Sequence, residues 1–162
     1  MKYRVIHVTG GVRNTISGVQ SFIKNHIKTN DEEFEYMIGE SNGDSHFPFN
    51  KYLDEKGIKR IVFPTLKVSN MMRYGRECRA FYENNIDILH VHNPITAFIH
   101  NYYAKKHGIK VRIYHNHSSQ FSDTVLKSIR NRFLVFLALK NATHRISCGK
   151  LAGTRIFGDK SF

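Results

Sequence analysis

Two histidine pairs and one glycine turn are the parts of this sequence best suited to chemistry. His90 and His92 flank Val91, and His115 and His117 flank Asn116. In an extended segment, residues two apart point to the same side, so each pair presents both rings to one face. If the two segments are neighbouring strands, up to four imidazoles approach one another. Such a group serves either as a set of metal ligands or as hydrogen-bonding partners for a polyol or phosphate. The metal reading makes the chain a metal-dependent hydrolase, whose site ordinarily also holds a carboxylate ligand or base. The acids nearest the pairs are Asp87 and Asp123, neither of them adjacent. The residues around the pairs are instead Asn93, Asn116, Ser118, Ser119 and Gln120, neutral groups that suit sugar hydroxyls. A single histidine is ordinarily a packed or solvated ring. Clustering at strand ends singles out His92 and His115.

Gly10-Gly11, followed by Ser17-Gly18-Val19, makes a second constellation. It is a glycine-rich turn opening onto a helix N-terminus, where backbone N–H groups and the helix dipole suit a phosphate or a hydroxyl-rich ligand. It matches neither GxGxxG nor the phosphate loop, because no Lys follows Gly18. The plainer alternative is a tight turn that needs positive φ.

The elements that must position these residues alternate. Tyr3–Thr9 reads as a first strand, and Ser17 caps a helix whose stripe is Val19, Phe22, Ile23, His26 and Ile27. Further strands fall at Phe34–Ile38, Lys59–Phe63, Asp87–Val91, Val111–Tyr114 and Arg145–Cys148. Between them, a short helix is expected over Phe49–Lys56 and a longer one from a Ser69 cap to about Asn84. Asn93-Pro94 supplies an N-cap and N1 proline for the next helix, and Gly108 ends it. A further helix runs from Asp123 to Lys140, with Val125, Ile129, Phe133, Phe136 and Leu137 as its core stripe. Leu134, Val135 and Leu139 fall outside that stripe, so the helix is apolar nearly all round. It is either buried or a surface that dips into an anionic membrane. Strands separated by helices call for right-handed crossovers. The fold class is therefore α/β, a Rossmann-like three-layer sandwich with a mostly parallel sheet of about six strands. Ligands of such sheets sit outside the carboxyl ends of the strands. Gly10-Gly11, His92-Asn93 and His115-Asn116-His117 all fall there.

At 162 residues the chain reads as one domain, 1–162, and its 41% hydrophobic content suits a folded core. No apolar run is long enough to span a bilayer, and MKYRVIHVTG reads as a strand rather than a secretory signal. Cys78 and Cys148 are expected to be buried free thiols in a reducing cytoplasm. Charge is uneven: residues 1–99 hold 13 Lys and Arg against 11 acids, and residues 100–162 hold 12 against two, Asp123 and Asp159. A basic second half implies an anionic partner, such as membrane headgroups or a phosphorylated lipid. Nucleic acid is disfavoured, since no nucleic-acid motif accompanies the charge.

HVTGGV with SGVQSFI, IDILHVHNP, KVRIYHNHSS and ATHRISCGKLAGTRIFG together resemble the N-terminal domain of family 4 retaining glycosyltransferases, of the GT-B fold. The resemblance covers essentially the whole chain but only the first half of a typical member. It implies a two-domain hexosyltransferase-type enzyme closing over a cleft, with a saccharide or lipid-linked acceptor on this domain and the nucleotide-sugar mainly on the other. Cell-surface or capsular polysaccharide synthesis at the inner membrane face is the setting it suggests. Carried over by position, His115 contacts the transferred sugar, Gly10, Gly11 and Gly18 line the cleft, and His92, Asn93 and His117 lie beside the acceptor. No metal and no cofactor are implied, the nucleotide-sugar being a co-substrate. The family's basic and paired acidic donor-binding residues belong to the second domain, so this chain alone is expected to be inactive unless a partner chain supplies that half. Val12–Ile16 lengthens the first glycine loop relative to the commoner form. A stand-alone basic module on an anionic surface, and a hydrolase using the two histidine pairs, are the rival readings.

Overall fold

The computed structural model describes residues 2–11, 14–30, 32–41 and 43–158, so Val12 and Arg13 of the lengthened loop lie outside it. Among the described residues, six strands form one parallel sheet in the order β3-β2-β1-β4-β5-β6. β1 (Tyr3–Val8) lies at its centre, beside β2 (Phe34–Glu40) and β4 (Ile88–Val91), with His7 opposite His90. β5 (Val111–Asn116) joins β4 to the edge strand β6 (His144–Ser147), and β3 (Lys59–Val62) forms the other edge. Val5, Ile6, His7 and Val8 are all buried, because helices cover both faces of a parallel sheet.

α1 (Gly18–Thr29) and α2 (Pro48–Glu55) follow β1 and β2. Their side of the sheet holds a core of Val5, Ile23, Ile27, Tyr36, Ile38, Phe49 and Leu53. α3 (Met71–Tyr82), α4 (Ala97–Lys106) and α5 (Val125–Asn141) follow β3, β4 and β5 and enclose the larger core on the opposite side. That core includes Ile6, Val8, Tyr74, Leu89, Val91, Tyr114, Val135 and Ala138. α6 (Lys150–Phe157) brings Phe157 to within 5.9 Å of the Tyr114 ring. Deep in the larger core His100 sits between two phenols, with Nε2 2.8 Å from Tyr74 Oη and Nδ1 2.8 Å from Tyr82 Oη. Burial pushes its pKa down to about 3, so the ring stays neutral there.

Ser17 caps α1 as the sequence indicates, in a reciprocal capping box with Gln20. Gly108, at φ +78°, closes α4. Other boundaries move. Asn70, after a 3₁₀ turn at Val68–Asn70, precedes α3 in place of Ser69. The Asn93 carboxamide oxygen accepts from the Ile95 N–H at 3.0 Å, making an isolated turn before α4, which begins only at Ala97. Cys78 is buried, whereas Cys148 is exposed at the mouth of α6.

The largest departure is α5. Val125, Leu126, Ile129, Phe133 and Phe136, four of which belong to the expected core stripe, are between 60% and 83% exposed. The buried face is Asn131, Val135 and Ala138 instead. Asn131 explains the rotation, because its side-chain N–H donates to the Phe121 carbonyl at 2.6 Å and anchors that face to the preceding loop. A helix that is apolar all round offers two stripes, and tertiary contacts chose the narrower one.

Candidate functional site

The sheet order reverses between β1 and β4, so the crevice outside their carboxyl ends is where such sheets bind ligands. Thr9-Gly10-Gly11 leaves β1 here and His92-Asn93 leaves β4, as β5 ends in His115-Asn116. Gly10 and Gly11 are absent from the positive-φ glycines, so the strained-turn alternative does not explain them. Among the described residues, a Cβ at Gly10 would meet only Asn93 Nδ2, at 3.7 Å. Its smallness therefore leaves open surface beside Asn93.

Parallel pairing aligns the histidines across three strands, and α1 adds a sixth ring. His26 Nδ1 lies 3.3 Å from His7 Nε2, His7 Nδ1 lies 3.0 Å from His92 Nε2, and His92 Nδ1 lies 2.9 Å from His117 Nε2. Beside this run, His90 Nε2 lies 3.1 Å from His115 Nδ1. Phe22 of α1 packs over the group, its ring 4.8 Å from His115 and 5.7 Å from His92. A neutral imidazole has one N–H and one lone pair, so a chain of neutral rings satisfies every internal contact, whereas two charged neighbours repel. Burial lowers all six pKa values, and it lowers those of His7 and His115 to about 3 with help from the charge of neighbouring rings. The cluster is neutral at pH 7.

His115 and His117 face an open pocket of about 630 Å³ whose other walls include Ser17, Gly18, Phe22, Ser147 and Cys148. The capping box engages the Gln20 N–H through the Ser17 hydroxyl, and the Gly18 and Val19 amides form the rest of the first turn. The α1 N-terminus and the two imidazoles thus border one cavity, an arrangement suited to hydroxyls and an anionic group.

The predicted residues separate into two groups. Gly18, His115 and His117 border this pocket, while Asn93 lines a smaller one of about 110 Å³ with Thr9, Glu40, Ser41 and Thr96. His92 is buried between His7 and His117 and links the two groups from below. Asn116 serves the fold: its side-chain N–H groups donate to the carbonyls of Ser118 at 2.7 Å and Ala152 at 3.1 Å. Sequence reasoning missed His7, His26, Glu40 and Thr96. His7 shares a strand face with Val5, and the β1–β4 register sets it opposite His90, a signal usable only once that pairing was known. Glu40 Oε1 pairs with Arg60 at 3.0 Å, and Glu40 and Thr96, both buried, line the smaller pocket. Burial raises the Glu40 pKa, against the pull of Arg60 and Asn50.

A six-stranded parallel sheet in this order is the doubly wound Rossmann-like fold, matching the Rossmann-like half-fold of GT-B neighbours. The chain superposes on Anabaena Alr3699/HepE, solved in complex with UDP-glucose, with a TM-score of 0.70 at 12% identity over 95% of this chain and 40% of that one. A Listeria monocytogenes structure named "putative UDP-N-acetylglucosamine 2-epimerase" gives 0.67 at 14% identity, over 100% of this chain and 43% of that one. At such identities the likeness establishes fold alone. In sequence the chain is 25% identical over 165 residues to the Bacillus subtilis (strain 168) "Putative glycosyltransferase EpsF", covering 98% of this chain and 42% of that protein. The chain thus spans less than half the length of each relative. No protein-family model matches it.

Proposed function

We propose that this chain is the acceptor-side half of a retaining, family 4 type glycosyltransferase that moves a hexose from a nucleotide-sugar to a saccharide or lipid-linked acceptor. One observation carries the reading: His115 and His117 share an open pocket with the α1 N-terminus at the carboxyl edge of the sheet. The sugar-transferase relative and the UDP-glucose complex of a fold neighbour agree with it. In this reading His115 and His117 hydrogen-bond the sugar hydroxyls, and the α1 amides face the donor phosphates. Gly10 and Asn93 border the acceptor path. Holding both substrates in register supplies positioning. A second domain, joined to this chain or carried by a partner, supplies the nucleotide grip and the positive charge that stabilises the leaving diphosphate.

The exposed α5 stripe supports a peripheral position on the inner face of the cell membrane. α5 starts at the site's end of the sheet, and Lys127, Arg130, Arg132 and Lys140 accompany its exposed apolar residues. Apolar contact plus cationic attraction to anionic lipid is the interfacial-helix pattern. It would bring the pocket close to a lipid-linked acceptor.

Calorimetry with UDP-sugars tests the domain assignment. The 162-residue chain should bind them weakly or not at all, and a matching second domain should restore transfer. Tight UDP-sugar binding by this chain alone would overturn the assignment.

A further inference from the structure

We propose that His92, His115 and His117 form a binding site for one divalent transition-metal ion of the zinc class, open to solvent on its pocket side. One ring nitrogen of each lies within 4.8 Å of the other two, and His92 Nδ1 and His117 Nε2 are 2.9 Å apart. Zinc–imidazole bonds of about 2.0–2.1 Å span a tetrahedral edge of about 3.3 Å, so small side-chain rotations close the triad around an ion. A site of three imidazoles needs no carboxylate, which removes the objection that the sequence raised to metal binding here.

The supporting shell is in place. His115 Nδ1 meets His90 Nε2 at 3.1 Å, and His92 Nε2 meets His7 Nδ1 at 3.0 Å, with His26 behind His7. With His115 Nε2 and His92 Nδ1 turned to the ion, each opposite nitrogen carries the hydrogen and donates to the next ring. Orienting the non-ligating nitrogen in this way is the usual second contact of a metal-bound histidine. A second triad, His7, His90 and His92, is also close enough, but all three are buried. The site chosen has an entry path, because His115 and His117 border the open pocket. All-imidazole ligation selects Zn²⁺, Co²⁺, Ni²⁺ or Cu²⁺ over Mg²⁺ and Ca²⁺, which prefer oxygen. The pocket side leaves a coordination position for water or a substrate hydroxyl.

The inference rests on the cluster geometry; a bound ion would take the nitrogens of His115 and His117 that the sugar-transfer reading gives to sugar hydroxyls, and metal titration without sugar tests it separately. Its test is titration of the 162-residue chain with Zn²⁺ by calorimetry and with Co²⁺ by visible absorption. The expected result is one ion per chain at micromolar or lower concentration, an intense four-coordinate Co²⁺ band, and no response to Mg²⁺. His117→Gln, at a half-buried position that tolerates exchange, and His115→Ala should each weaken binding at least tenfold, while His46→Ala, which removes an exposed ring outside the cluster, leaves it unchanged. No binding at 100-fold molar excess of Zn²⁺, or affinity unaltered in the folded His117→Gln variant, overturns the site.

Discussion

His90 Nε2 stands 3.1 Å from His115 Nδ1 across the β4–β5 boundary, so the ring of His115 is held by one nitrogen and offers the other to the pocket. In the two-domain enzyme, His115→Ala should lower kcat/KM by about tenfold or more, the scale of losing one oriented hydrogen bond in the transition state. An unchanged kcat/KM in a folded variant would remove His115 from the sugar site.

Phe133 and Phe136 project from α5 at 60% and 63% exposure. Burying one such ring in a membrane interface is worth about 1.5–3 kcal/mol. Phe133→Glu and Phe136→Glu should therefore each reduce flotation with anionic vesicles by roughly tenfold or more, with little effect on thermal stability. Raising salt should weaken the wild-type interaction as well, through its basic residues. Equal flotation of wild type and variants would show that another surface binds the vesicle, or none.

The His100 ring gives the core an acid limit. Its folded pKa of about 3 lies below the ordinary 6.5, so between those values the unfolded chain binds a proton that the native state does not. Stability from this group is complete above pH 6.5 and falls as the pH drops toward 3, by about 1.4 kcal/mol per pH unit. Urea unfolding of His100→Gln at pH 7 and pH 5 should give a smaller pH difference than the wild type. Identical differences would mean that His100 does not titrate in this way.

Gly39 sits in β2 opposite Val8, and a Cβ there would fall 2.9 Å from Phe63 Cε2. Gly39→Ala should cost about 1–3 kcal/mol through overpacking, measured by chemical denaturation. A neutral result would mean that Phe63 yields freely.

Arg60 holds the buried Glu40 at 3.0 Å and also bonds Asp54, Ser45 and the Gly43 carbonyl. Arg60→Met should destabilise by about 3–5 kcal/mol by stranding that carboxylate. Adding Glu40→Gln should recover part of the loss, and the double-mutant cycle measures how much. Additive effects would show that the two groups do not act as a pair.

The sequence by itself determined the alternation of strands and helices, because each element carries its own periodicity and end signals: Ser17 at the start of α1, Gly108 at the end of α4. It also determined that His90 and His92, and likewise His115 and His117, share a face, since that follows from the two-residue repeat of a strand. Tertiary structure decided the rest. Which strands adjoin is a long-range pairing, and only the β1–β4 register brings His7 and, through α1, His26 to the other four rings. Which side of α5 is buried depended on Asn131 finding the Phe121 carbonyl, a contact that no periodicity encodes in a helix apolar on every side. Local pattern fixes where a side chain points along its own element, while what it meets there depends on the neighbours the fold delivers.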